Sequence, residues 1–279
     1  MKGLKKIALA TAVAAAPFAA QADLKALDDT TMSNVTGQRG VTIELETEVS
    51  IGEFRYTDDG YLAVNDIFIG GGSVEKDVNG TVTGVSGKLD DLLIDIDVEA
   101  DGDAVIDVHS ISGGAIDFAV GVGSASLHAT DGSNDSTLLA SNIGIEGNLG
   151  LLNIRVDTAT DNLIMNVGFN VTDMDMDVDF LGVNVRDMRV MGANFLETGG
   201  AGFDKADPST FANLFASATV TVGKGTSAAT GGDALSISIP NFAADMTIGA
   251  VEIGGESIGA FTIDNLVVSG TNMKVYGHQ

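Results

Sequence analysis

Two stretches of this chain set carboxylates at a spacing that chemistry can use. Asp173-Met174-Asp175-Met176-Asp177-Val178-Asp179-Phe180 alternates acid and apolar residue, and Asp95-Ile96-Asp97-Val98-Glu99-Ala100-Asp101-Gly102-Asp103 does the same and then turns. Such alternation on a β-strand puts every carboxylate on one face. Neighbours along that face stand roughly 7 Å apart, close enough to repel and too far apart to share an ion. Carboxylates on adjacent strands approach to about 5 Å. There a single Ca²⁺, a hard cation that takes oxygen ligands, would bridge them. Asp173, Asp175, Asp177, Asp179, Asp95, Asp97, Asp101 and Asp103 are thus the candidate calcium ligands, and calcium is the one candidate cofactor. The simpler alternative is a solvated acidic face that keeps a sheet soluble. The segment from Asp97 lacks the closing Glu of an EF-hand loop, and the G-G-x-G-x-D calcium repeat is absent.

Other residue patterns offer less. Gly255-Glu256-Ser257-Ile258-Gly259 has the G-x-S-x-G form of a nucleophile elbow. An elbow needs a strand before the serine and a helix after it. Phe261 to Val268 reads as strand instead, and the acid and base would have to be Asp264 and His278. His109, His128 and His278 are too far apart in sequence to form a recognisable ligand set. With no Cys, the chain has no disulfide framework, thiolate zinc site, iron–sulfur cluster or thiol catalysis. The expectation is a protein that is not an enzyme.

Composition narrows the partners. The chain has 279 residues, 39 acidic against 14 basic, for a formal net charge of −25. Lys and Arg this few cannot neutralise a phosphate backbone, so nucleic acid is excluded as an ordinary partner. The 44% apolar content is enough for a folded core despite the charge. Residues 1–22 have the layout of a Sec signal peptide: Lys2, Lys5 and Lys6, an apolar stretch from Ile7 to Phe18, then Ala20-Gln21-Ala22 before Asp23. No later apolar run approaches the roughly 20 residues that span a bilayer.

The elements that must position these residues are mostly strands. Residues 23–40 form a leader that could hold a short helix, with Asp28 as its cap and Gly37 as its stop. From Val41 to the end, period-two alternation predicts a single β-rich domain. Val41, Ile43 and Leu45 alternate with Thr42, Glu44 and Glu46, and Leu163, Met165, Val167, Phe169 and Val171 share a face opposite Asn166, Gly168 and Asn170. Asp58-Asp59-Gly60, Asn79-Gly80, Asp101-Gly102 and Asp131-Gly132 read as hairpin corners. A second helix is predicted over Pro208–Ala218, capped by Asp207, and a small-residue loop over 223–233. Ser50-Ile51-Gly52-Glu53-Phe54 is echoed by Ser257-Ile258-Gly259-Ala260-Phe261. Short Asp- or Asn-led units begin at Asp66, Asp91, Asp117, Asn142, Asn162, Asp187, Asn241 and Asn265, most of them about 25 residues apart. The expected fold is all-β: a repetitive β-solenoid-like body or an elongated antiparallel sheet or meander, with one or two short helices.

Leu24 to Glu46 (LKALDDTTMSNVTGQRGVTIELE) carries a resemblance. The residues Leu27, Asp28, Met32-Ser33, Val35-Thr36-Gly37-Gln38 and Gly40-Val41-Thr42-Ile43-Glu44 resemble the mature start of a secreted family of Gram-negative bacteria. That family includes pilus-system proteins of the FilA type. The resemblance implies export, a cell-surface or extracellular place, and a structural or adhesive role among other surface or pilus-system proteins or by self-assembly. It implies no catalytic residues. A periplasmic or outer-membrane β protein holding a lipid or other hydrophobic ligand is the alternative. An outer-membrane barrel fits less well, since no Trp and only 3 Tyr cannot build interfacial girdles.

Overall fold

A computed structural model describes residues 40–277. The signal-peptide region, the leader with its expected helix, and His278 lie outside them. The described chain is all-β and antiparallel throughout, the second of the two expected architectures. Two long strands form its axis, β8 (Ser136–Asp157) and β9 (Asn162–Val178), paired from Ser141/Asp177 to Asp157/Asn162. Beyond β9, β11 (Ala216–Thr226) takes the first half of that strand and β10 (Val183–Met191) the second. Both then pair with β12 (Asp233–Ile253), which carries β13 (Glu256–Val275) on its far side. Beyond β8, β6 (Ala104–Ser110) and β7 (Ile116–His128) divide the length in the same way. Outside them lie β5 (Leu89–Val98) and β3 (Tyr61–Lys76), and then β1 (Val41–Thr47) and β2 (Val49–Thr57). β4 (Val82–Gly87) pairs only with the end of β3.

All four Asp-Gly and Asn-Gly corners fall between successive strands, and in three of them the glycine (Gly80, Gly102, Gly132) has positive φ. Two local expectations are corrected. The predicted helix over Pro208–Ala218 is a 3₁₀ helix over Pro208–Asn213, and β11 begins at Ala216. Asp207 does cap it, its Oδ1 accepting the Ser209 N–H at 3.0 Å, but the helix stops at Leu214, where the backbone leaves the helical conformation (φ −127°), and the chain returns to the sheet at Ala216. The predicted loop over 223–233 shrinks to a turn at 227–232, because Val222–Thr226 pairs in register with Asp233–Ile237. A one-turn helix not foreseen from sequence, α1 (Phe195–Thr198), ends at left-handed Gly199.

What organises the sheet is a set of residues that leave the strand conformation while their neighbours keep it. Asp66, Asp91, Asn142, Asp187 and Asn265 all have φ between 52° and 56°. All five head the Asp- or Asn-led units noted in the sequence, so the feature these positions share is a backbone conformation. Asp and Asn are the side-chain-bearing residues that enter this region most readily. In register, Gly52, Asp66, Gly123 and Asn142 lie opposite one another across four strands, and Asp187 lies opposite Gly249. A Cβ at Gly123 would stand 2.9 Å from the Asp66 Cβ, and one at Gly249 would stand 2.7 Å from that of Asp187. Glycine opposite Asp66 and opposite Asp187 is therefore a steric requirement.

Cores are local. Val171, Val190, Ala216 and Ala244 are buried where β9–β12 meet, flanked by Phe169, Met174, Met188 and Phe242. A second group includes Val82, Val85, Ile116 and Ala119. The β3–β4 hairpin lies over the sheet there, and Val82 sits where a side chain on Gly121 would be. Asn170, expected opposite Val171 and wet, is 2% exposed. The β8–β9 register slips between Leu149 and Leu151 and again at Gly147, which breaks the alternation at this point.

Candidate functional site

The first acidic ladder spans β5, the following turn and the start of β6, and its members separate into different environments. Asp95 accepts from Thr42 Oγ1 at 2.5 Å and faces His109 Nε2 at 2.9 Å. The His109 hydrogen bond, helped by Thr42, lowers the Asp95 pKa, and the same contact raises that of His109. Asp97 lies against Gly40. Asp101 and Asp103 converge with Glu99, their oxygens within 4.8 Å of one another. The chain supplies a cation at this point: Arg155 Nη2 stands 3.0 Å from Glu99, 3.6 Å from Asp101 and 2.6 Å from Asp103. Asp103 is buried, and it also accepts the Thr158 N–H and hydroxyl, each at 2.9 Å. Those Thr158 bonds first, then Arg155, hold its carboxyl below the ordinary aspartate range.

The second ladder runs along the end of β9. Asp177 pairs with Arg186 at 2.6 Å and accepts from Asn142 Nδ2 at 2.9 Å, and Asp179, just past the strand, accepts from Ser141. Asp173 and Asp175 converge with Asp187 of β10, their oxygens again within 4.8 Å. Burial opposes ionisation of Asp175, but Lys76 at 2.6 Å and the Asp187 N–H at 3.1 Å outweigh it and its pKa is lowered. Asp173 is different. Burial, then the charges of Asp175, Asp187 and Glu146, raise its pKa, and among the described residues no donor meets its carboxylate. Oxygen-only donor sets of this kind suit Ca²⁺. In the Glu99 group, such an ion would have to displace Arg155.

Several side chains outside the two ladders have a more general task. A left-handed residue turns a backbone N–H out of the ladder, and a buried N–H needs an acceptor. The Asn265 N–H goes to Asp245 Oδ1 at 2.8 Å, and Asp245, 1% exposed, also accepts the Leu196 N–H at 2.8 Å. Asp117 takes the Gly72 N–H at 2.8 Å, Glu146 the Val74 N–H at 2.7 Å, and Asn170 the Asn148 N–H at 3.0 Å. Asp91 accepts from the Ser110 and Ser112 hydroxyls and the Ser112 N–H, in that order of effect, which lowers its pKa.

The two described histidines, His109 and His128, do not assemble. His109 pairs with Asp95, while His128 stacks on Tyr61 at 4.6 Å between ring centroids. Ser257 lies in β13 with strand on its C-terminal side, so the helix that an elbow requires is not there.

The two margins of the sheet form the other candidate site. Among the described residues, β13 (20 residues long) pairs on one side only, with β12. On the opposite margin β1 and β2 pair, among the described residues, inward only, with β5 and β3. Large apolar side chains are exposed along both: Val41, Ile51, Phe54 (56%) and Tyr56 on one, Ile258 (59%), Phe261, Ile263 and Val267 on the other. The echoed segments Ser50–Phe54 and Ser257–Phe261 lie on these two margins.

A family model described as "Family of unknown function (DUF6160)" matches residues 1–100. The matched region includes β1–β5, Asp95 and Asp97, but not the second ladder. No curated protein matches the chain, and no solved structure does. Among the described residues no helix is long and apolar enough to cross a membrane.

Proposed function

We propose that this protein is an exported structural component of the cell surface that assembles edge to edge with further copies of itself or with β-rich surface partners. The observation that carries this reading is the pair of unpaired sheet margins, β1–β2 and β13, on opposite sides of one sheet. An open strand edge presents a row of unused N–H and C=O groups, a template for another strand. Because the margins differ, joining one to the other is a heterologous contact, and such contacts propagate unless a rotation closes the ring. The exposed Ile, Val and Phe side chains add apolar area to each joint. The signal-peptide layout and the likeness of Leu24–Glu46 to secreted pilus-system proteins support the extracytoplasmic placement.

Charge sets the conditions. A net charge of −25 makes copies repel, and salt screens that repulsion over about 10 Å at 0.1 M. Light scattering and negative-stain microscopy of the mature protein should therefore show assemblies that grow between about 0.01 and 0.5 M NaCl. Phe54→Lys on one margin and Ile263→Lys on the other should each abolish growth while leaving circular dichroism unchanged. A strictly monomeric protein across that range, or growth indifferent to both substitutions, overturns the proposal.

A further inference from the structure

Away from the ladders and the margins, the segment between β10 and β11 borders an apolar cavity of about 720 Å³ that is partly open to solvent. Phe203, Phe211 and Phe215 form its wall, with ring centroids 5.0 to 6.4 Å apart, and Leu151, Leu214 and Lys205 complete the lining that matters. The rings rest directly on the sheet backbone. A Cβ on Gly168 would stand 2.2 Å from the Phe211 ring, and one on Gly150 would stand 3.1 Å from that of Phe215. The segment is tied down on both sides of the rings: Asn194 N–H to Ala212 O at 3.0 Å, Leu196 N–H to Asp245 at 2.8 Å, and Gly192 N–H to Leu214 O at 3.2 Å. The cavity is thus held open by a braced frame.

A partly open cleft of this size lined by Phe and Leu keeps apolar surface against water until a ligand covers it. Its volume lies in the range of about 300–1,000 Å³ typical of small-molecule sites. Lys205 is the one charged side chain in the lining, in a chain with 39 acids and only 14 Lys and Arg. Its ammonium donates to the Gly113 carbonyl, which leaves two of its three protons for another acceptor. The flanking acids do not neutralise it. Asp204 accepts the Ala206 N–H at 2.9 Å, Asp207 accepts from Ser209, and Lys205 joins no ion pair among the described residues. The remaining lining is Gly, Ala and one Ser, with few partners for a sugar, nucleotide or peptide.

We infer that this cavity binds a linear fatty acid, its alkyl chain against Phe203, Phe211 and Phe215 and its carboxylate on Lys205. One apolar body and a single anionic head match one apolar wall and a single cation. The inference is independent of edge assembly.

The test is calorimetric titration of lipid-stripped mature protein with dodecanoate below its micellar concentration, with dodecyltrimethylammonium as the cationic control of equal chain length. Saturable binding of one dodecanoate per chain is expected, at least tenfold tighter than the control. Lys205→Met should erase that preference. Ala115→Phe, which fills the cavity, should weaken binding of dodecanoate at least tenfold, and Leu214→Trp serves if the first variant misfolds by circular dichroism. No saturable binding, equal binding of the cationic control, or binding that Lys205→Met and the filled variant leave unchanged overturns the inference.

Discussion

The two acidic ladders look alike as sequence and behave differently in the sheet. In the first, Asp103 is buried yet well served, with Thr158 donating twice and Arg155 closing the charge, and its pKa is lowered. In the second, Asp173 is partly buried beside Asp175, Asp187 and Glu146, no donor reaches it among the described residues, and its pKa is raised. Alternation fixes which face a carboxylate occupies. The neighbouring strand decides whether it meets a cation, a displaced N–H or another carboxylate. Arg155 comes to the first ladder from β8. Lys76, at the end of β3, comes to the second but reaches Asp175 rather than Asp173.

If serving displaced backbone N–H groups is the main work of buried acids here, the largest effect lies outside both ladders, at Asp245. Asp245→Ala leaves two N–H groups, of Leu196 and Asn265, without the buried acceptor they share. The expected cost is about 3 kcal/mol, from two charge-assisted bonds. Urea denaturation measures it, and a loss below about 1 kcal/mol would mean that the kinks do not need the carboxylate.

The next test concerns the Asp187 kink, whose N–H the second ladder serves. Gly249→Ala drives a Cβ to within 2.7 Å of the Asp187 Cβ and should cost about 1–3 kcal/mol as overpacking. Asp187→Gly tolerates the same positive φ and removes the obstructing side chain. The double variant should therefore recover most of that loss. A double-mutant cycle with no coupling would show that the glycine opposite the kink is not there for space.

Much of the fold could be read from the sequence because it is local. Asp58-Asp59-Gly60 and Asn79-Gly80 mark turns by residue type, and Val41, Ile43 and Leu45 announce a strand by alternation alone. What could not be read is set by partners far along the chain. Asn170 and Val171 are buried together because β8 slips register beside them, and a slip in another strand leaves no mark on Asn170 itself. Arg155 is one cation in an alternating strand, and nothing nearby says that three carboxylates of the first ladder will surround it. The Asp- and Asn-led units were visible as spacing, but spacing does not separate the five that turn left-handed from Asp117, Asn162 and Asn241, which do not. At Asp66 and Asp187 the kink depends on the residue and on the glycine opposite it.

The sharpest test of the difference between the ladders is a pair of isosteric substitutions with opposite signs. Asp103 has a folded-state pKa below its unfolded one, so its contribution to stability is fully present above the ordinary aspartate value of about 3.9 and is lost as pH falls through the lowered folded value. Asp103→Asn should therefore lower the melting temperature at pH 7 by a few degrees, and the gap to the unsubstituted protein should close in strong acid. Asp173 has a folded-state pKa above its unfolded one, so its ionised form is a burden at neutral pH that disappears as pH falls below about 3.9. Asp173→Asn should raise the melting temperature at pH 7, by less than the first change lowers it, and the gain should shrink toward zero below pH 4. Melting curves between about pH 2 and 7 give both slopes in one series. Slopes of the same sign would mean that the two ladders share one environment and that their difference does not lie in what the neighbouring strands bring to them.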